Sequence, residues 1–394
     1  MASISALPPR QFPTSGFVRL DSSEKIEEES LPHYDAGRYY PAHIGDVLVS
    51  RYQIVSKLGY GTSSTAWLCR DLLEQVFYTI KICIRGQNLD HEIDVSKHLQ
   101  NADDHFGKKL VRLVLDSFEV VGPHGKHVCL VYQPLGMNFA EFQKLLPDSK
   151  FPKNLAQRSI QLILISLAFM HENNVTHTDV SSNNILQGVE DRSVLSRLEE
   201  DEVERPVARK VLGDRTIYYS RPMPSCAGLP ILSDLGEARI GNGKHKGDIM
   251  PGIYRAPQVI LDMDWGSSVD IWSIGTMIWD LVEGSHLFFA KRNRTLNDEQ
   301  HLAEMVSLMG PPPPEFLKRS EKCHHFWDEK GNWKGSIPIP EQSLEMREIQ
   351  LSGEDKELFV SFLRRILRWL PEERPTAEEL AYDEFLMQAV WNSS

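Results

Sequence analysis

The chain is 394 residues long, 41% hydrophobic and 25% charged, with a formal net charge of −12. That length accommodates two lobes and a large buried core, and the composition is ordinary for a globular protein. The acidic balance disfavours a nucleic-acid surface and suits a basic partner. The longest apolar run, Ile160 to Met170, is broken by Gln161 and Ser166 and falls short of the roughly 20 residues that span a bilayer.

Residues 1 to about 40 are rich in Pro, Ser and Glu, include the run Glu27-Glu28-Glu29, and read as an extended or disordered arm. Arg10 and Arg19 precede Glu24 without an apolar stretch of secretory type, so no targeting segment is expected. Order is expected from near Ile44. Three β-rich runs follow, Tyr52 to Leu58, Ala66 to Arg70 and Phe77 to Ile84, separated by turn residues as in an antiparallel meander. Between the first two lies Leu58-Gly59-Tyr60-Gly61-Thr62-Ser63-Ser64-Thr65-Ala66. Glycines at 59 and 61 let the backbone approach phosphates without a side-chain clash, although a plain hairpin turn would also use them.

Lys81 places an ammonium within the third run. Desolvating it costs several kcal/mol unless an anion meets it, and Glu92, on a helix predicted from Asp90 to Gln100, is the expected partner, with Asp94 the alternative. Strands are expected from Val111 to Phe118 and from His127 to Tyr132. The second runs into Gln133-Pro134-Leu135-Gly136, a connection whose backbone groups around Gln133 and Leu135 would suit an adenine edge with Tyr132 behind it.

Beyond Gly136 the pattern turns helical, with amphipathic helices predicted over Ala156–Asn173 and Val269–Glu283. Short strands, Asn184–Leu186 and Pro230–Leu232, flank a charged insertion, residues 188 to 229, with room for one surface helix. The segment His177-Thr178-Asp179-Val180-Ser181-Ser182-Asn183-Asn184 has the spacing of a loop in which a carboxylate accepts a substrate proton and an amide holds a metal. Ser233-Asp234-Leu235-Gly236 adds a second metal ligand. Five cysteines without paired spacing are expected to be reduced thiols, and Cys323-His324-His325 lacks the separated ligands of a metal site.

Taken in order, these motifs resemble a eukaryotic protein kinase from about Tyr52 to Leu386. Tyr254-Arg255-Ala256-Pro257, Asp270 to Gly275 and Pro371 to Pro375 look like the end of its activation segment, its anchoring helix and its closing arginine motif. Tyr39 to Asp46, Leu58 to Gly61, Ser64 to Leu68, His177 to Asp179 and Asp234 to Gly236 are closest to the SR-protein kinases, fungal members especially, which also split the domain with a spacer. The resemblance implies an α+β bilobal fold with a β-rich small N-lobe (about 44–133), a mainly helical C-lobe (about 136–390) and the insertion between strands. It implies Mg-ATP bound between the lobes, with ATP and Mg2+ as cofactors. Leu58, Gly59, Gly61, Ala66, Lys81, Gln133 and Leu135 would bind nucleotide, Lys81 and Glu92 would position its phosphates, Asp179 would be the base, and Asn184 and Asp234 would hold metal. Serines of Arg/Ser-rich splicing factors are the implied substrate, phosphorylated by a monomer in cytoplasm and nucleus, without direct nucleic-acid or membrane contact. A nucleotide-binding scaffold and a small-molecule phosphotransferase remain alternatives.

Three departures from that pattern stand out. Ser181 replaces a lysine that would neutralise the transferring phosphate, a loss typically costing on the order of 10²–10³ in rate. Gln258 stands where a glutamate would pair with Arg374. Thr178 stands where an arginine would receive a loop phosphate, and residues 235 to 253 contain no Ser, Thr or Tyr, so activity independent of loop phosphorylation is expected. Asp262, Asp264, Asp280 and Glu283 are candidates for gripping a basic substrate.

Overall fold

The computed structural model describes residues 7–87 and 90–391. The chain separates into two compact units. The first comprises the described part of Met1–Lys97 with Arg112–Met137 and Gln187–Gly228; the second comprises His98–Val111, Asn138–Leu186 and the described part of Leu229–Ser394.

The first unit is built on a six-stranded antiparallel sheet ordered β1-β2-β3-β4-β6-β5, with β1 at Val47–Leu48, β2 at Tyr52–Tyr60, β3 at Ser64–Asp71, β4 at Phe77–Cys83, β5 at Asp116–Gly122 and β6 at Gly125–Tyr132. The helix α1, Asp90–Gln100, follows β4 as the sequence predicts. The fifth strand begins later than expected, because Val111 bridges instead to Leu232 within the second unit. β2 is buried from Tyr52 to Lys57, so water reaches neither face of it. A sheet solvated on one side would alternate.

The covering comes from the N-terminal arm and the insertion. Ala42, Leu48, Tyr52, Ile54, Trp67, Cys69, Ile80, Ile82 and Cys129 share one core with Tyr218 from the insertion. Val55 and Leu68 share a second with Leu195, Leu198 and Met223, and Phe12 packs against it. The arm expected to be disordered is therefore part of the fold, and so is the insertion. Its helix Ser193–Glu204 buries Leu195, Leu198, Glu199 and Glu202, and its hairpin pairs Arg209–Val211 with Thr216–Tyr218. The arm adds a parallel bridge, Arg19 to Arg209. The physical reason for the correction is charge pairing. The acidic run that suggested a solvated tail meets buried cations: Glu28 pairs with Lys57, and Glu29 sits 2.9 Å from Lys210 Nζ.

The second unit is helical. Lys153–Glu172 is its longest helix, starting after Pro152, whose missing N–H costs nothing there. Ser268–Glu283 is buried along nearly its whole circumference, the pattern of a helix enclosed by protein, and stops at Gly284 in the left-handed conformation (φ 69°). It approaches the helix Glu354–Ile366 so closely that a Cβ on Gly275 would lie 2.6 Å from Ile366 Cγ2. No described helix is long and apolar enough to cross a membrane. The cysteines are free, and four of the five are buried.

Candidate active site

Within the first unit the sheet register lines up three of the predicted nucleotide residues. Gly59 pairs with Ala66, Ala66 with Lys81 and Lys81 with Leu130, one row across four strands. Directly opposed residues share a face, so Ala66 and Lys81 point the same way. The hairpin above them closes with Gly61 N–H donating to Ser64 O at 2.8 Å. A Cβ placed on Gly59 or Gly61 would meet nothing within 4 Å, and neither has a positive φ. The fold itself does not demand glycine at either position, and bare backbone there suits the approach of phosphates.

Lys81 Nζ lies 3.7 Å from Glu92 Oε1, confirming the predicted partner over the exposed Asp94. The pair has a third member that the sequence did not reveal. Tyr132 donates its hydroxyl to the same Glu92 oxygen at 2.5 Å, and Lys81 Nζ sits 5.3 Å from the Tyr132 ring centre. The tyrosine thus helps hold the Glu92 side chain, and burial pushes its own hydroxyl pKa far up. At the predicted adenine edge, Gln133 O already accepts from Arg112 Nη2 at 3.0 Å, while Leu135 is buried.

The second unit carries the predicted base, Asp179, and its loop. Asn184 Nδ2 donates to Asp179 Oδ2 at 2.7 Å and to Asp179 O at 2.9 Å, fixing the carboxylate and the loop with one amide. His177, fully buried, sits 3.1 Å from Ser233 O through Nε2 and accepts from Asp179 N–H through Nδ1 at 3.2 Å. The buried Asp270 carboxylate accepts the N–H groups of His177 and Thr178, each at 2.8 Å. Thr178 sits at φ 70°, a conformation a β-branched residue resists, and these contacts hold it there. Its hydroxyl donates to Glu237 O at 2.8 Å, tying the catalytic loop to the segment that follows Asp234.

Burial raises the Asp179 pKa, and the nearby charges of Asp234 and Glu237 add to the rise, while His177 and the Asn184 hydrogen bond oppose it. Asp234 is exposed, with φ 70°. Among the described residues no cluster of three or more His, Cys, Asp or Glu could cage an ion. One amide and one carboxylate suit Mg2+, which is typically bound by one or two protein ligands together with phosphate oxygens and water.

The departures also have structural counterparts. Ser181 is buried. Gln258 does meet Arg374, accepting from Nη2 at 3.0 Å. Of the four acidic candidates for substrate binding, only Asp262 and Asp264 are exposed. Asp280 is taken by the Tyr254 hydroxyl, His286 and the Leu287 N–H. Glu283 is buried against Glu348, so both are removed from the substrate list.

Comparison with known proteins agrees with this geometry. The family described as protein kinase domain matches residues 52–198 and 226–386. A serine/threonine protein kinase of Aspergillus fumigatus is 44% identical over 96% of this chain and 95% of its own length. The serine/threonine-protein kinase SRPK of Physarum polycephalum is 28% identical over 90% of each chain. The dual specificity protein kinase CLK2 of Mus musculus is 28% identical over 89% of this chain and 67% of its own length. A solved kinase domain superposes with a TM-score of 0.68 at 23% identity, covering 89% of this chain and all of that one.

Proposed function

The chain belongs to the protein kinase family, as a serine/threonine kinase similar to the SR-protein and CLK kinases, and on that premise we propose that it transfers the γ-phosphoryl group of ATP to serines in basic, Arg/Ser-rich proteins. The observation that carries the proposal is the Asp179 carboxylate held 2.7 Å from the Asn184 amide, with its loop backbone clamped by Asp270. A base that takes a proton from a hydroxyl nucleophile must be fixed before the substrate arrives, and this one is.

Lys81, 3.7 Å from Glu92, offers an ammonium to the nucleotide phosphates. Asn184 and Asp234 would hold Mg2+, which when bound neutralises charge on the phosphates. Asp179 then accepts the serine proton as the new O–P bond forms and the bond to the β-phosphate oxygen breaks. Ser181 offers no charge where a lysine would meet the transferring group, so turnover is slow by about 10²–10³ relative to a lysine-bearing site.

Support for a basic substrate comes from the net charge of −12 and from the likeness to SR-protein kinases. On the same likeness we propose residence in cytoplasm and nucleus and a role in splicing control. The test is phosphate transfer from Mg-ATP to an Arg-Ser peptide by wild type and Asp179→Ala. Incorporation that disappears in the variant supports the proposal; nucleotide binding without transfer by wild type overturns it.

A further inference from the structure

The glycine-rich hairpin is gripped by the N-terminal arm at two points. At its tip, the Tyr39 hydroxyl donates to Gly61 O at 3.0 Å. At its base, Lys57 of β2 is fully buried, paired with Glu28, 3.4 Å from Glu27 and bonded to Tyr218 O at 3.1 Å. Its ammonium also lies 5.2 Å from the ring centre of Tyr60, the last residue of the strand. From these contacts we infer that Tyr39 is a positioning residue for the glycine-rich hairpin and that the Glu28–Lys57 pair anchors the strand leading into it.

The tyrosine is itself held. It follows the single turn Ala36–Arg38, capped by Asp35, whose side chain accepts the Gly37 N–H at 2.9 Å. Arg38 O accepts from Arg85 N–H at 2.8 Å, just past β4, and Ala36 O accepts from Arg215 of the insertion. Tyr34 packs on its ring at 5.1 Å, and the side chain is only 8% exposed. A hairpin with bare glycines has little of its own to fix it. A hydroxyl on the Gly61 carbonyl restricts the backbone without adding a side chain where phosphates would lie.

The inference rests on the reading that this hairpin covers ATP, and its test separates the two. Kinetics of Tyr39→Phe, which keeps the ring and removes the hydroxyl, are expected to show the KM for ATP raised about three- to tenfold, the loss of one hydrogen bond, with kcat within about twofold. Hydrogen exchange at the amides of residues 61–64 should quicken in the same variant without nucleotide, while β6 stays protected. Tyr39→Leu reports the ring contribution. Tyr39→Phe matching wild type in both KM and exchange overturns the inference, and so does a fall in kcat that only follows a lowered melting temperature. Should wild type bind no ATP, the reading of the site fails, and the exchange measurement still decides whether Tyr39 holds the hairpin.

Discussion

Arg374 is a buried cation facing an amide where an anion would complete it, so Gln258→Glu should stabilise the protein. The guanidinium is fully enclosed, and burial pulls its pKa down to about 9. Its donors reach Ser268 O at 3.0 Å, Arg368 O at 2.8 and 3.1 Å and Gln258 Oε1 at 3.0 Å, and its Cζ lies 4.9 Å from the Trp272 ring centre. Every partner is neutral. Meanwhile Gln258 Nε2 is buried with no hydrogen-bond partner. An unmet buried donor costs about 1–3 kcal/mol, and a hydrogen bond to a charged group contributes about 1.5–3 kcal/mol against about 1 for a neutral one. Glutamate removes the first cost and makes the second gain, offset by desolvating a carboxylate beside a cation already out of water. The net expectation is about 2 kcal/mol, or about 4–8 °C in melting temperature at 2–4 °C per kcal/mol for a unit of this size. Calorimetry of wild type, Gln258→Glu and Gln258→Met measures it. The methionine variant should melt lower, having lost an acceptor. A glutamate variant that melts at or below wild type would refute the account of Arg374 as an uncompensated charge.

Ser181→Lys should raise kcat on an Arg-Ser peptide by about 10²-fold, read by initial-rate phosphate incorporation; no rise would mean that phosphate charge is already met by other groups. Activity should survive phosphatase treatment, since residues 235 to 253 hold no acceptor hydroxyl and Thr178 contacts Glu237 O directly. Thr178→Val, which removes that contact, should lower kcat about fivefold. Glu283 gives a pH signature. Burial, then repulsion and hydrogen bonding with Glu348, raise its pKa from 4.5 to about 7. A carboxyl whose folded pKa is raised contributes stability that is fully present below the unfolded value and is lost as pH rises through the folded one. Stability should therefore decline from about pH 4.5 to about 7 through this group, and Glu283→Gln should flatten that part of the melting-temperature profile. An unchanged slope would count against the pair.

The strands were legible as β-rich runs bounded by turn residues, and the helix Asp90–Gln100 and the two long helices of the second unit from their length and apolar content. Asp179, Asn184, Asp234 and Lys81 could be nominated because the proposed chemistry fixes both type and order. What escaped depended on partners far along the chain. Glu27-Glu28-Glu29 reads as solvated charge until Lys57 and Lys210 are seen to be buried against it, and no local pattern links residues 29 and 181 positions apart. Asp280 and Glu283 read as surface acids, though the helix carrying them is enclosed on nearly all sides. Tyr132 was placed behind the adenine edge, and its hydroxyl contact with Glu92 depends on how α1 packs. Asp270 is expected on an anchoring helix, while its grip on the His177 and Thr178 amides joins residues 93 and 92 positions apart, beyond any local pattern.

These buried pairs also sharpen what the net charge means. Glu28 with Lys57, Glu29 with Lys210, Glu199 with Arg10 and Arg70, and Glu202 with Arg209 and Arg221 are largely internal to the first unit. Cations match the anions within these clusters, but among all the described residues eleven Asp and Glu are buried against five Lys and Arg. Buried acids therefore carry a large part of the −12, and the exposed remainder is what can steer a basic chain. Of the four acids nominated from the sequence, Asp280 and Glu283 do not belong to that exposed charge, whereas Asp262 and Asp264 do. Selectivity for Arg-rich substrates is therefore an expectation about exposed charge, sensitive to ionic strength, and the same burial that removes two candidates leaves the electrostatic argument for a basic partner standing.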